Sequence, residues 1–274
     1  MITNRWEAVL GRVVLGFALV STLLPLLSML SAALQPQGTI PVGLRWPSEP
    51  HWENFADAFR VARLADLLVS SLLIEIVVVP VALAFATLAG FALARLNPPA
   101  SRVVVVLLLL GLTMPFESIV TPLYYQMQSM GLLNTRWAII LPLIGLYMPF
   151  GVIWMRAHFL GVPRELSEAA RVDGAGYWRE LRDIQLPLAG PSLSALAILL
   201  FLWTWNQYLL AIVLVDDPLQ RTMAGALGAF QGRYGTDVVL LSAGTLLIIA
   251  PTIVVFVIFQ RHFIRALLQG AVKG

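Results

Sequence analysis

Apolar positions in this chain run in long blocks, without the helical or strand-like alternation of a half-buried element. Six blocks reach the roughly 20 residues that cross a bilayer core of about 30 Å: residues 13–34, 67–94, 103–125, 137–155, 188–215 and 239–259. The first follows Arg5 and Arg12 and ends near a cleavable-looking Ser-Ala-Ala-Leu. It exceeds the apolar core of a signal peptide, about 7–15 residues, and so predicts a retained helix. Pro25, Pro80, Pro115, Pro122, Pro142, Pro149 and Pro251 fall inside these blocks. Each removes a backbone donor, so each predicts a kink, serving either packing or gating. Pro47, Pro50 and the polar stretch HWENFADAF mark a connection that predicts a short surface helix.

Composition agrees with the blocks and narrows the class. Hydrophobic residues make up 59% and charged residues 12% of the 274 positions, and mean hydropathy is +0.83. Half the usual charge cannot coat a globule of this size, which excludes a soluble enzyme, a disordered protein and a coiled coil. The expectation is an all-α integral membrane protein forming a single transmembrane domain over residues 1–274.

Charge sets the expected orientation. Twelve cations flank one set of block ends: Arg5, Arg12, Arg95, Arg102, Arg156, Arg164, Arg171, Arg179, Arg182, Arg261, Arg265 and Lys273. Six flank the other: Arg45, Arg60, Arg63, Arg136, Arg221 and Arg233. The positive-inside rule then puts both termini and the segment between the fourth and fifth blocks in the cytoplasm. A net charge of +3 fits topology signals better than nucleic-acid binding. The chain has no cysteine, and His51, His158 and His262 lack metal-ligand spacing,.

That cytoplasmic loop, about residues 160–187, has a pattern of its own. Pro163 suits a first helical turn, and no breaker follows until Gly174, a natural C-terminal cap,. Leu166, Ala169 and Ala170 share one face of this helix,. A second short helix sets Tyr177, Trp178, Leu181 and Ile184 on one side against Arg179, Glu180, Arg182 and Asp183 on the other, and Pro187 ends it. Such a pair either lies on lipid headgroups or docks a protein. The near-balanced charge favours docking.

The string from Glu168 to Pro191, EAARVDGAGYWRELRDIQLPLAGP, resembles the EAA loop of permease subunits in ATP-binding-cassette importers. Glu168-Ala169-Ala170, Gly174, Ile184 and Leu186-Pro187 match that pattern in order and spacing. FALARL after the second block, WTWNQYLL in the fifth and the terminal GAVKG resemble the sugar-importer branch, which includes a maltose permease subunit. Relatives often carry phenylalanine where this chain has Leu181, which bears on how firmly the loop docks. The resemblance implies six transmembrane helices and a coupling helix between the fourth and fifth. It also implies an ATPase contact made by Glu168, Ala169, Ala170, Asp173 and Gly174, with Trp178 and Leu181 on the following helix. Implied partners are a second, different permease subunit, two ATPase subunits, an extracytoplasmic solute-binding protein and a sugar, in a bacterial or archaeal inner membrane. The chain itself has no Walker A motif, since its one lysine, Lys273, precedes the final glycine,. ATP and magnesium are therefore expected on the partner ATPase, and no cofactor on this chain.

Intramembrane polar residues are the remaining candidates. Glu75 and Glu117 lie within the second and third blocks, where ionised carboxylates are costly and usually functional. Each is alternatively protonated, paired or nearer the interface, and an ion-coupled secondary transporter built on either is the competing function. In the fifth block, Trp203, Trp205, Asn206 and Gln207 combine ring faces with amides, as sugar recognition requires. An interfacial aromatic belt is the plain alternative.

Overall fold

The structure is a computed structural model and describes residues 5–232 and 235–271. Arg233, Lys273 and the last three residues of the GAVKG string lie outside the described residues. Among the described residues four helices are long and apolar enough to cross a membrane, and up to six spans result if each of two bent helix pairs counts as one.

By its internal contacts the chain divides into two compact units. The first comprises residues 1–65 and 226–251. Its opening helix, α1 (Arg5–Ala33), is exposed along most of its length and buries only its last turn. The predicted surface helix is α2 (Glu53–Val61). Its buried Asn54 donates from Nδ2 to the carbonyls of Ala33 and Gln35, each at 2.8 Å. Those carbonyls end α1 without an intrahelical partner, so one side chain caps one helix and anchors the next. The unit also holds a minimal hairpin, β1 (Gln231–Gly232) with β2 (Gly235–Thr236).

The second unit, residues 66–225 and 252–274, carries the buried core. It is built on α3 (Leu64–Phe91), which begins two residues before the boundary and runs into a π-helical turn, Ala92–Leu96. There follow α4 (Ser101–Thr113), α5 (Phe116–Ser129) and α6 (Trp137–Gly161). The loop helices are α7 (Arg164–Val172), α8 (Tyr177–Glu180), a second π turn (Leu181–Gln185) and α9 (Leu186–Leu188). After them come α10 (Gly190–Trp205) and α11 (Leu209–Leu214); of α12 (Val238–Ala271), residues up to 251 belong to the first unit and the rest to the second. Small residues set the closest approach. A Cβ on Gly90 would lie 2.7 Å from Met155 Cβ, and one on Gly151 would lie 2.8 Å from Ala86 Cβ. Helices α3 and α6 therefore meet almost backbone to backbone, as small residues permit inside a membrane.

Two predicted blocks are broken. The third divides into α4 and α5, bent by 102°. Met114 precedes proline and is extended, with ψ 128°, as is Pro115, so the turn ends α4 and starts α5,. Six of the seven prolines expected to kink their blocks lie inside continuous helices, and Pro115 alone falls at a break. The fifth block also loses continuity, because α10 stops before Asn206 and the chain resumes as α11 at Leu209.

Candidate functional site

Two places in the second unit collect the residues singled out by sequence. The first is the loop. Helix α7 ends at Val172 with Asp173 as its C-cap, and Gly174 takes φ +74°. The Ala175 amide donates to the Ala170 carbonyl at 2.9 Å and the Gly174 amide to that of Arg171 at 3.0 Å. This is a Schellman cap, which requires a left-handed residue at the glycine position. Glu168, Ala169, Val172, Asp173, Gly174, Tyr177 and Trp178 are all exposed, Val172 at 87% and Trp178 at 66%. Ala170 and Leu181 instead face the subunit's own interior, Leu181 within its main core. In the π turn after α8, Arg182 Nε donates to Asp183 at 2.7 Å and holds that carboxyl below its usual range.

The faces of these helices differ from their expected pattern. Leu166 and Ala169 are exposed, while Ser167 beside them is buried. Glu180, expected on the polar side, has no exposed surface, and neither has Gln185. A π turn follows at Leu181–Gln185. Its extra residue rotates the following side chains by about 100° from a regular α-helical register.

The second place is a cleft of about 670 Å³ between α4, α5, α6 and the end of α10. Met114 and Phe116 line it from the bend, Tyr147 and Phe150 from α6, and Trp203, Asn206 and Gln207 from the break after α10. Trp203 packs against Phe150 at 4.9 Å, edge to face, and against Tyr147 at 5.8 Å. Thr204 Oγ1 donates to the Tyr147 hydroxyl at 3.2 Å. The two amides also finish the broken helix. Asn206 Nδ2 donates to the Leu202 carbonyl at 2.7 Å, and Gln207 Oε1 accepts from the Leu210 amide at 3.3 Å. The amides are thus held in place with hydrogen-bonding capacity to spare.

Other candidates lie elsewhere. Trp205 is buried and stacks on Phe201 at 5.5 Å, away from the cleft lining. Glu117 sits exposed in the first turn of α5 and does not line the cleft. Glu75 is 6% exposed within α3, and neither carboxylate oxygen has a hydrogen-bond partner. Tyr147 and Phe150, which sequence reasoning passed over, form the aromatic wall facing Trp203. Their signal was two rings three residues apart on one face of the fourth block. Among the described residues no three His, Asp or Glu side chains gather where they would hold a metal ion.

Comparison with known proteins assigns the class. Residues 82–269 match the family described as the binding-protein-dependent transport system inner membrane component. The chain belongs to that family. It is 34% identical to the trehalose transport system permease protein SugB of Mycobacterium tuberculosis, over 97% of each chain. It is 35% identical to the arabinooligosaccharides transport system permease protein AraQ of Halalkalibacterium halodurans, over 95% of each. Its fold is similar to that of a chain from a bacterial ABC transporter involved in import of the acidic polysaccharide alginate. The TM-score is 0.79 at 20% identity, covering 96% of this chain and 98% of that one. The chain is thus a non-catalytic membrane component of an ABC importer, with ATP hydrolysis on a separate subunit. The ion-coupled secondary transporter gives way to this assignment.

Proposed function

We propose that this chain is one membrane-spanning half of an ATP-driven importer of di- to oligosaccharides. The observation that carries this reading is near-full-length similarity to permeases named for trehalose and arabinooligosaccharides. The cleft supports it, because aromatic faces stack on sugar C–H surfaces while amides pair with hydroxyls. Trp203, Asn206 and Gln207, with Tyr147 and Phe150, form the sugar's path. Glu75, Glu117 and Trp205 act as structural groups outside that path.

The chain works as a single transmembrane domain of six spans with both termini in the cytoplasm. Glu168, Ala169, Asp173, Gly174 and Trp178 offer the outward surface of the coupling loop to an ATPase, and Ala170 and Leu181 hold that surface from inside. A second, different permease subunit completes the path. Two ATPase subunits bind ATP and magnesium, and an extracytoplasmic binding protein delivers the sugar. The exposed apolar surface of α1 and α4 suits lipid and the partner permease.

Uptake tests the reading directly. Cells lacking this chain are complemented with wild type or Asn206→Leu and assayed with labelled disaccharides and oligosaccharides. Wild type restores uptake of at least one sugar. Asn206→Leu lowers that uptake about tenfold, the scale of one lost hydrogen bond to a buried partner, while the ATPase still copurifies. Wild type that restores no sugar refutes the substrate class. Unchanged uptake by Asn206→Leu removes the amide from the path.

A further inference from the structure

Beneath the loop lies a buried polar cluster that neither the cleft nor the docking surface uses. Glu180 at the end of α8 and Gln185 in the π turn are fully buried, and Ser167 of α7 is 5% exposed. Gln185 Nε2 donates to Ser167 Oγ at 3.2 Å and lies 3.4 Å from Glu180 Oε1. Arg171, half-exposed on α7, brings its guanidinium within 3.9 Å of Glu180 Oε2. From the other side comes Arg95, in the π turn that ends α3. It donates to the Val162 carbonyl at the foot of α6 at 2.7 Å, and lies within electrostatic range of Glu180, Arg164 and Arg171.

One carboxylate thus has Arg171 at ion-pair distance and Arg95, from a different element, within electrostatic range. Burying a charge with so little hydrogen bonding is costly. Glu180 Oε2, Gln185 Oε1 and Arg95 Nε each lack a hydrogen-bond partner. Apolar packing would hold two helices at lower cost, and the cluster gives a fixed relation between charges instead. Both π turns among the described residues occur at this cluster, and π turns frequently mark functional positions.

We propose that Glu180 is a positioning residue for energy coupling: its buried carboxylate, between Arg171 of the loop and Arg95 of the second span, makes the loop and that span move as one body. The proposal rests on the reading of the loop as the ATPase contact. Glu180 does not touch the ATPase. It acts by holding the helix that does.

The experiment uses the whole complex, purified through a tag on this chain and reconstituted in nanodiscs. ATP hydrolysis is measured with and without the system's binding protein. Spin labels on Glu165→Cys and Leu96→Cys report the distance from loop to second span, in a chain without native cysteine. In wild type that distance is narrow and stays the same when ADP and vanadate trap the ATPase. Glu180→Gln keeps the shape and removes the charge. It assembles normally, broadens the trapped-state distance, and loses stimulation by the binding protein on the order of tenfold, within the usual range of coupling between sites. Normal stimulation with an unchanged narrow distance overturns the proposal. If Glu180→Gln does not assemble, Arg95→Gln decides, because Arg95 lies on the second span and not on the docking surface. Loss of stimulation in Arg95→Gln, restored by Arg95→Lys, supports the link, and normal stimulation in Arg95→Gln overturns it. Failure of the loop reading looks different: the wild-type loop can then be altered at Gly174 without loss of ATPase copurification.

Discussion

Gly174 separates two kinds of cost at one position. Its φ of +74° strains any L side chain, while a Cβ there would meet nothing within 4 Å. Backbone strain of about 1–2 kcal/mol is therefore common to Gly174→Ala and Gly174→Trp in the isolated subunit. Only the indole adds bulk to the outward surface. Thermal unfolding of the detergent-purified subunit should show both variants lowered by a similar few degrees. Copurification of the ATPase should fall much further for Gly174→Trp. Equal copurification of the two would take the glycine out of the docking surface. This turn was legible in the sequence, because a glycine ending an unbroken helical stretch has one main conformational use. Glu180 was not legible, because charged residues are almost never fully buried.

Among the helices, length and apolarity were readable and continuity was not. Residues 67–94 and 137–155 correspond to α3 and α6 with shifts of a few residues. Residues 103–125 conceal a right-angled break that is no less apolar than its surroundings. Proline alone was an ambiguous signal, since six of its seven occurrences sit inside continuous helices. At Pro115 the preceding Met114 is extended, and the break follows. The α3–α6 contact was equally hidden, because Gly90 and Gly151 read as two glycines among the chain's many. Gly151→Leu forces a side chain into Ala86 and should cost about 1–3 kcal/mol as overpacking. Gly16→Ala, with open space around it, is the control. Yield and thermal stability of the purified complex should drop for the first and stay level for the second. A Gly151→Leu complex as stable as wild type would mean that the two helices can separate freely.

For the whole molecule the open quantity is orientation, expected from twelve cations against six. Ser167, in the loop expected in the cytoplasm, is buried and a poor labelling site, whereas Glu165 near it is exposed. Ile40, in the connection expected outside, is 82% exposed. A membrane-impermeant maleimide applied to intact spheroplasts should modify Ile40→Cys. Glu165→Cys should react only after permeabilisation. Reaction of Glu165→Cys from outside would invert the topology and remove the loop from any ATPase.

The bend between α4 and α5 has a further consequence for the life of the chain in the cell. At 13 residues and 1.5 Å per residue, α4 is about 20 Å long, well short of a bilayer core of about 30 Å. Thr113, Met114 and Pro115 at its end are exposed in the subunit. Non-helical backbone at membrane depth persists only against protein or water. A copy made without the proposed partner permease would therefore expose this bend to hydrocarbon. Such an orphan is a natural target for membrane quality-control proteases, so its abundance should follow that of its partner.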